Sequence, residues 1–227
     1  RPRMMRGVSQ RSTTTTALDV ELQTPIMIAP TGFAGMAHAD GELAIARAAR
    51  KAGVLVTLST MSNYRLEDVR EAAGTLPMWF QLYVYKDRSV TEALVRRVEA
   101  AGYGALAVTV DTPLLGRREK DIRNEFHMPD GLTAANFFGS GMEHIEKEIA
   151  KSGLAAYIKA QFDDSLTWED IEWLRSITSL PILVKGILRS DDARRAKEHG
   201  ASGIIVSNHG GRQLDTAIAT VDALPEI

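Results

Sequence analysis

Six short apolar runs recur along this chain, and most are separated by a stretch with helical periodicity. The runs are Ile26–Ala29, Val54–Leu58, Met78–Leu82, Ala105–Val110, Ile182–Val184 and Ile204–Val206. They are near-continuously apolar rather than alternating, as strands are when both faces of a parallel sheet are covered. Between them Gly41–Ala52, Leu66–Ala73, Ser89–Ala101, Thr167–Ser176 and Asp191–His199 have the spacing of amphipathic helices. Gly53, Gly102 and Gly200 stand where three of these helices should stop, and glycine is the usual residue for a left-handed helix end. Thr167 followed by Asp170 resembles an N-terminal cap with an acidic residue in the first turn. The fold class is therefore α/β.

The strand ends separate a doubly wound open sheet from a (β/α)8 TIM barrel. Each run carries a polar residue at or just past its C-terminal end: Thr31, Ser59, Gln81 with Tyr83, Thr109 with Asp111, Lys185, and Ser207 with His209. An open sheet gathers ligand residues at one switch point. A barrel brings all its strand ends to a single mouth, so polar residues after every strand favour the barrel. The rhythm supplies about six of the eight βα units such a barrel needs. The expectation is thus one barrel domain over 1–227, incomplete at both ends and lacking strands seven and eight. Thr13–Leu22 is expected to form a hairpin across the barrel bottom, and 112–165 a long loop insertion with a charged surface helix at Glu143–Lys151.

Composition excludes several function classes. A formal net charge of −2 with interspersed signs gives no electrostatic case for nucleic acid or an anionic membrane. No apolar run has the length of a membrane span. With no cysteine there is no disulfide, thiolate metal site or cysteine nucleophile. That fits a reducing compartment, and a soluble, cytoplasmic protein is the expectation. His38, His127, His144 and His199 show no metal-ligand spacing, so no metal is expected. Neither common nucleotide loop is present, and Ser59 and Ser207 lack the setting of a hydrolase nucleophile.

The stretch Asn208-His209-Gly210-Gly211-Arg212-Gln213-Leu214-Asp215 carries the strongest chemical signal. Histidine can act as a general base near neutrality, and an arginine fork fits a carboxylate. Together they suggest chemistry at the carbon beside an acid group; the bland alternative is a glycine-rich turn with a surface arginine. Lys185, ending a buried strand, needs an anion or electron-rich ligand unless it snorkels to the rim. Asp111 either partners His209 across the mouth or caps the Thr112-Pro113 turn. Tyr83 and Tyr85 flank Val84 and are expected to face opposite ways, with Tyr83, at the parity of Gln81, the one turned inward. Arg117 and Arg118 form a basic pair at the start of the insertion.

These residues resemble the FMN-dependent L-2-hydroxy acid oxidases and dehydrogenases. The likeness runs through Pro25-Ile26-Met27-Ile28-Ala29-Pro30-Thr31-Gly32, Phe80-Gln81-Leu82-Tyr83-Val84-Tyr85-Lys86-Asp87 and Thr109-Val110-Asp111-Thr112-Pro113. It continues in Gly116-Arg117-Arg118, Pro181-Ile182-Leu183-Val184-Lys185-Gly186 and Ser207 to Asp215. The resemblance implies oxidation of a small 2-hydroxy acid to the 2-oxo acid on FMN, with oxygen, a quinone or a cytochrome as electron acceptor. It implies Pro30, Thr31 and Gly32 along the flavin, Ser59, Gln81, Thr109 and Ser207 at the ring, and Lys185 at its N1–O2 edge. It implies Tyr83, Arg118 and Arg212 on the substrate, His209 as base and Asp111 as its support. A homo-oligomer, tetrameric in relatives, is implied as well.

The sequence also departs from the family. Its Asp-Gly-Gly-x-Arg segment and later Gly-Arg pair, which bind the FMN phosphate, are missing, as is a substrate tyrosine upstream of Arg1-Pro2-Arg3. Met61 stands where glycolate oxidases carry tryptophan, which argues against strict glycolate specificity; a lactate-like substrate is expected. Two competing readings follow from these departures and from the fold: a catalytically silent barrel fragment without the phosphate site, and a phosphate-binding barrel with another substrate.

Overall fold

In the computed structural model a short antiparallel hairpin precedes an all-parallel sheet; the structure describes residues 3–137 and 160–227. The hairpin pairs β1 (Thr15–Ala17) with β2 (Val20–Leu22). The sheet runs in sequential order through β3 (Met27–Ile28), β4 (Leu55–Ser59), β5 (Met78–Leu82), β6 (Leu106–Thr109), β7 (Ile182–Ile187) and β8 (Gly203–Val206). The crossovers carry α1 (Gly41–Ala52), α2 (Leu66–Ala73), α3 (Arg88–Ala100), α5 (Glu169–Ile177) and α6 (Ser190–Glu198), and the short α4 (Glu119–Arg123) lies in the insertion. A one-turn α7 (Thr220–Ala223) follows the last strand. Sequential parallel strands with a helix in each crossover make the wall of a (β/α) barrel. The expected surface helix at Glu143–Lys151 and His144 lie outside the described residues.

Side-chain alternation sorts each strand into two environments. Outward residues Val56, Leu58, Phe80, Leu82, Leu106, Val108, Ile182 and Val184 pack against Ala46, Leu66, Val69, Leu94, Val98 and Leu174 of the helices. Each fully buried aliphatic side chain there contributes about 1.5–3 kcal/mol. Inward residues near the strand starts, Leu55, Trp79 and Leu183, join Met27 and Ile205 in a second cluster. Leu22, Ala17, Leu18 and Val20 of the hairpin close it, so the predicted hairpin does cap the bottom. The upper inward positions are polar, which leaves the opposite end as the chemical face.

Most element limits agree with the sequence, and the differences have local causes. Gly53 ends α1 at φ 67°, a left-handed cap that favours glycine. The strand predicted to end at Val184 instead continues to Ile187. Gly186, at φ 116°, carries it through a bulge between Lys185 and Ile187, so Lys185 lies within the strand rather than at its end. Helix α5 starts at Glu169, later than expected, and the Asp170 carboxylate reaches back to accept the Thr167 N–H at 2.6 Å. The insertion is tied down by Asn136, whose buried amide accepts from Leu66 N–H at 2.8 Å and donates to the Thr60 carbonyl at 2.9 Å. No described helix is long and apolar enough to cross a membrane.

Candidate active site

The inner rim at the strand C-termini is lined by two connected groups of polar side chains. In the first, Ser59 of β4, Gln81 of β5 and Thr109 of β6 stand side by side. The Gln81 side-chain Oε1 accepts from the Ser59 hydroxyl at 3.2 Å and from Thr60 N–H at 3.3 Å, while its Nε2 donates to Thr109 Oγ1 at 3.0 Å. Gln81 is only 2% exposed, so this amide has its partners before any ligand arrives. Gly32, after β3, lies against the Met61 backbone and Ser59, and Phe33 N–H donates to the Met61 carbonyl at 2.7 Å. Pro30 and Thr31 stand on the same loop, Thr31 exposed, and among the described residues Thr31 makes no hydrogen bond to the rest of the rim.

Ser207 is the junction of the second group. Its hydroxyl oxygen accepts from Lys185 Nζ and from His209 N–H, both at 3.1 Å. Lys185 is 8% exposed, and burial lowers its pKa, opposed in part by the negative charge of Asp111. Ser207 accounts for one bond of its ammonium, which has further N–H donors to offer. Beyond Ser207 the chain turns sharply, with His209, Gly210 and Gly211 all left-handed at φ 58°, 66° and 68°. Histidine in that region costs about 1–2 kcal/mol. The two glycines are called for by this backbone, and the open space where their Cβ atoms would stand leaves the backbone approachable.

The turn swings the His209 ring onto Asp111, with Nδ1 2.8 Å from Oδ1. A carboxylate can only accept, so Nδ1 carries a proton, and in the neutral ring Nε2 is then the acceptor. Asp111 Oδ2 is buried without a hydrogen-bond partner. Its backbone sits against Gly186, where a Cβ would come within 2.7 Å of the aspartate's own Cβ.

The basic pair at the start of the insertion divides. Arg117 is exposed and bonds Glu119 at 2.6 Å. Arg118 is half-buried, and its pKa is lowered by burial and by the nearby positive charge of Arg212. Its Nε is buried with no partner. Two guanidiniums thus stand within each other's field, an arrangement that an anion would stabilise. Tyr83 feels both Asp111 and Arg118, and burial with the Asp111 charge pushes its hydroxyl up to about 12.

The tyrosines do not face opposite ways as expected: residues two apart share a face of an extended chain, and Val84 between them packs in the outer core instead. Strand β5 ends at Leu82, and both rings meet Phe162: Tyr83 stacked at 4.4 Å and Tyr85 edge-on at 5.3 Å. Met61 is buried in the same cluster with Phe33 and Phe137. A cavity of about 490 Å³ alongside shares Tyr83, Thr109 and Gly186 with the rim but touches neither His209 nor either arginine. His199 lies away from the rim, paired with Glu172 at 2.8 Å.

Several supporting residues have no signature in the sequence. Buried Glu42 accepts from Ala34 N–H at 2.9 Å and Asn63 N–H at 3.2 Å, bracing the loop after β3. Gln213 bonds three backbone groups of 111–116. Gln213 alone had a local pointer, adjacency to Arg212.

Known proteins resemble this chain. An L-lactate oxidase of Nostoc sp. is 53% identical over the whole chain and 63% of its own length, and glycolate oxidase 3 of Arabidopsis thaliana is 55% identical over the whole chain and 61% of its length. The chain therefore spans about three-fifths of the curated relatives it matches. A solved mandelate oxidase with (S)-4-hydroxymandelic acid superposes with a TM-score of 0.89 at 42% identity, covering all of this chain and 62% of that one. Another, carrying an FMN adduct, gives 0.85 at 41%, over the whole chain and 60% of that one. The model of the FMN-dependent dehydrogenases matches residues 1–227, and the chain belongs to that family.

Proposed function

We propose that the protein oxidises an L-2-hydroxy acid to the 2-oxo acid on FMN, with oxygen as the final electron acceptor. The observation that carries this reading is the His209–Asp111 pair at 2.8 Å, on the rim that also presents Arg118, Arg212 and Lys185. In this reading 1–227 acts as one FMN-binding barrel domain.

The rim fits a flavin. The edge of an isoalloxazine alternates hydrogen-bond acceptors and a donor. Ser59, Gln81, Thr109 and Ser207 answer it with hydroxyls and an amide, and Lys185 with a desolvated cation. Those residues would hold the ring edge, with Pro30, Thr31 and Gly32 beside it. When bound, FMN supplies a two-electron acceptor.

The remaining chemistry belongs to the chain. Arg118 and Arg212 take the substrate carboxylate, and the unpartnered Arg118 Nε is one donor available to it. Tyr83 stays a neutral phenol at working pH and donates to the bound acid. Of the two hydrogens the substrate loses from O–H and C–H as the carbonyl forms, His209 accepts one as a proton at Nε2, and the other would leave with the electron pair to the acceptor that FMN supplies. Asp111, at Nδ1, stabilises the resulting imidazolium and holds its tautomer. A lactate-like side chain suits the apolar cluster of Met61 and Phe33 near Tyr83.

Anaerobic addition of L-lactate to the FMN-loaded protein is expected to bleach its visible flavin band, and air to restore it. Failure of L-lactate, glycolate and (S)-mandelate alike to bleach it would end this reading.

A further inference from the structure

We propose that Gln213 is a positioning residue that holds the two catalytic loops in register. The loop after β6 carries Asp111 and Arg118; the loop after β8 carries His209 and Arg212. Apart from the His209–Asp111 bond itself, the hydrogen bonds between them among the described residues all run through the Gln213 amide. Its Nε2 donates to the Asp111 carbonyl at 3.0 Å and the Leu114 carbonyl at 2.9 Å, and its Oε1 accepts from Gly116 N–H at 3.2 Å. One amide thus uses both donors and its acceptor on three backbone groups of the facing loop.

The backbones are also in contact. A Cβ on Gly116 would lie 2.3 Å from the Arg212 carbonyl oxygen and 2.7 Å from Gln213 Cα, a gap only glycine fits. From the other side Gly186 seats Asp111. Asp111 is therefore held through its main chain by Gln213 and through its flank by β7, which fixes where its carboxylate meets the His209 ring. Catalytic geometry is sensitive at this scale, since a misplacement of about 1 Å can cost on the order of 100-fold in rate. The bonding pattern also sets the chemistry of residue 213. Glutamate has the length but faces two carbonyls with a carboxylate, methionine fills the space without bonding, and asparagine is one methylene short.

The inference rests on the proposed role of the His209–Asp111 pair. Its test compares Gln213→Glu and Gln213→Met with wild type in the FMN-loaded holoenzyme, and Gln213→Asn where Gln213→Met does not fold. Three quantities are read: bound FMN, kcat and KM for L-lactate, and the low-field proton resonance of the His209 Nδ1–H. Expected are full FMN occupancy, a fall of about 10- to 100-fold in kcat that exceeds any rise in KM, and loss or broadening of the resonance. An unchanged resonance with kcat within two-fold of wild type would overturn the proposal. A His209→Asn control separates the two ideas. If that variant keeps its turnover the base assignment fails, and the resonance in the Gln213 variants still decides whether the clasp exists.

Discussion

His209 Nδ1 and Asp111 Oδ1 lie 2.8 Å apart although 98 residues separate them in the chain. The contact exists because His209 takes a left-handed backbone at the end of β8 while Asp111 extends from β6 over the glycine of β7. In the neutral imidazole that bond selects the Nδ1–H tautomer and turns Nε2 away from Asp111.

Replacing His209 by Asn in the FMN-loaded enzyme should lower kcat by about 10²–10⁴-fold, the usual contribution of a general base. Asp111→Asn should give a smaller loss, roughly 10²-fold, because the base survives without its charged support. Steady-state turnover with L-lactate and the visible spectrum of bound flavin measure both. Activity within a few-fold of wild type in His209→Asn would remove the catalytic assignment.

Lys185 should stabilise the site at the expense of the fold. Burial disfavours its charge, so Lys185→Met is expected to raise apoprotein stability by about 1–2 kcal/mol in urea unfolding. The same variant should bind FMN at least tenfold more weakly by fluorescence titration, an estimate of about 1.4 kcal/mol for the lost charge. A variant that binds FMN as tightly as wild type would show that the ammonium does not meet the flavin.

Tyr83 makes a prediction about alkaline pH. Its folded pKa is raised from 10.0 to about 12, so the folded protein holds this proton more tightly than the unfolded chain. That stabilisation is complete below pH 10 and is lost as pH climbs toward 12, at most about 2–3 kcal/mol in all. Denaturant unfolding between pH 9 and 12 should fall more steeply in wild type than in Tyr83→Phe. Equal slopes would place the titrating group elsewhere; burial of Tyr103 acts in the same direction and remains in both proteins.

The division between what the sequence reveals and what it hides follows the range of the interactions. The helices Gly41–Ala52 and Leu66–Ala73 and the strand Met78–Leu82 appear with the limits expected, because periodicity and glycine caps are local. Strand-end polarity likewise located the rim. Two local expectations slipped: Gly186 reads as a strand stop but forms a bulge, and Tyr83 and Tyr85, expected on opposite faces, share one because they are two residues apart. The Gln213, Asn136 and Glu42 contacts bridge distant segments and leave no periodicity or spacing to read. An asparagine or glutamine inside an ordinary loop looks the same whether it is solvated or holds two loops together.

The pairing of Leu106 with Ile182 brings together residues roughly three times farther apart in the chain than those of the neighbouring strand pairs, which adds about 1 kcal/mol of closure entropy. Strands β3 to β6 and strands β7 to β8 can each zip locally, so their meeting is expected to be the slower event in folding. Asp111 stands on one side of that seam and Lys185, Ser207 and His209 on the other. A chain with that seam open holds the Ser59–Gln81–Thr109 group on one side and the Lys185–Ser207–His209 group on the other, so the His209–Asp111 pair is expected to form only as the seam closes.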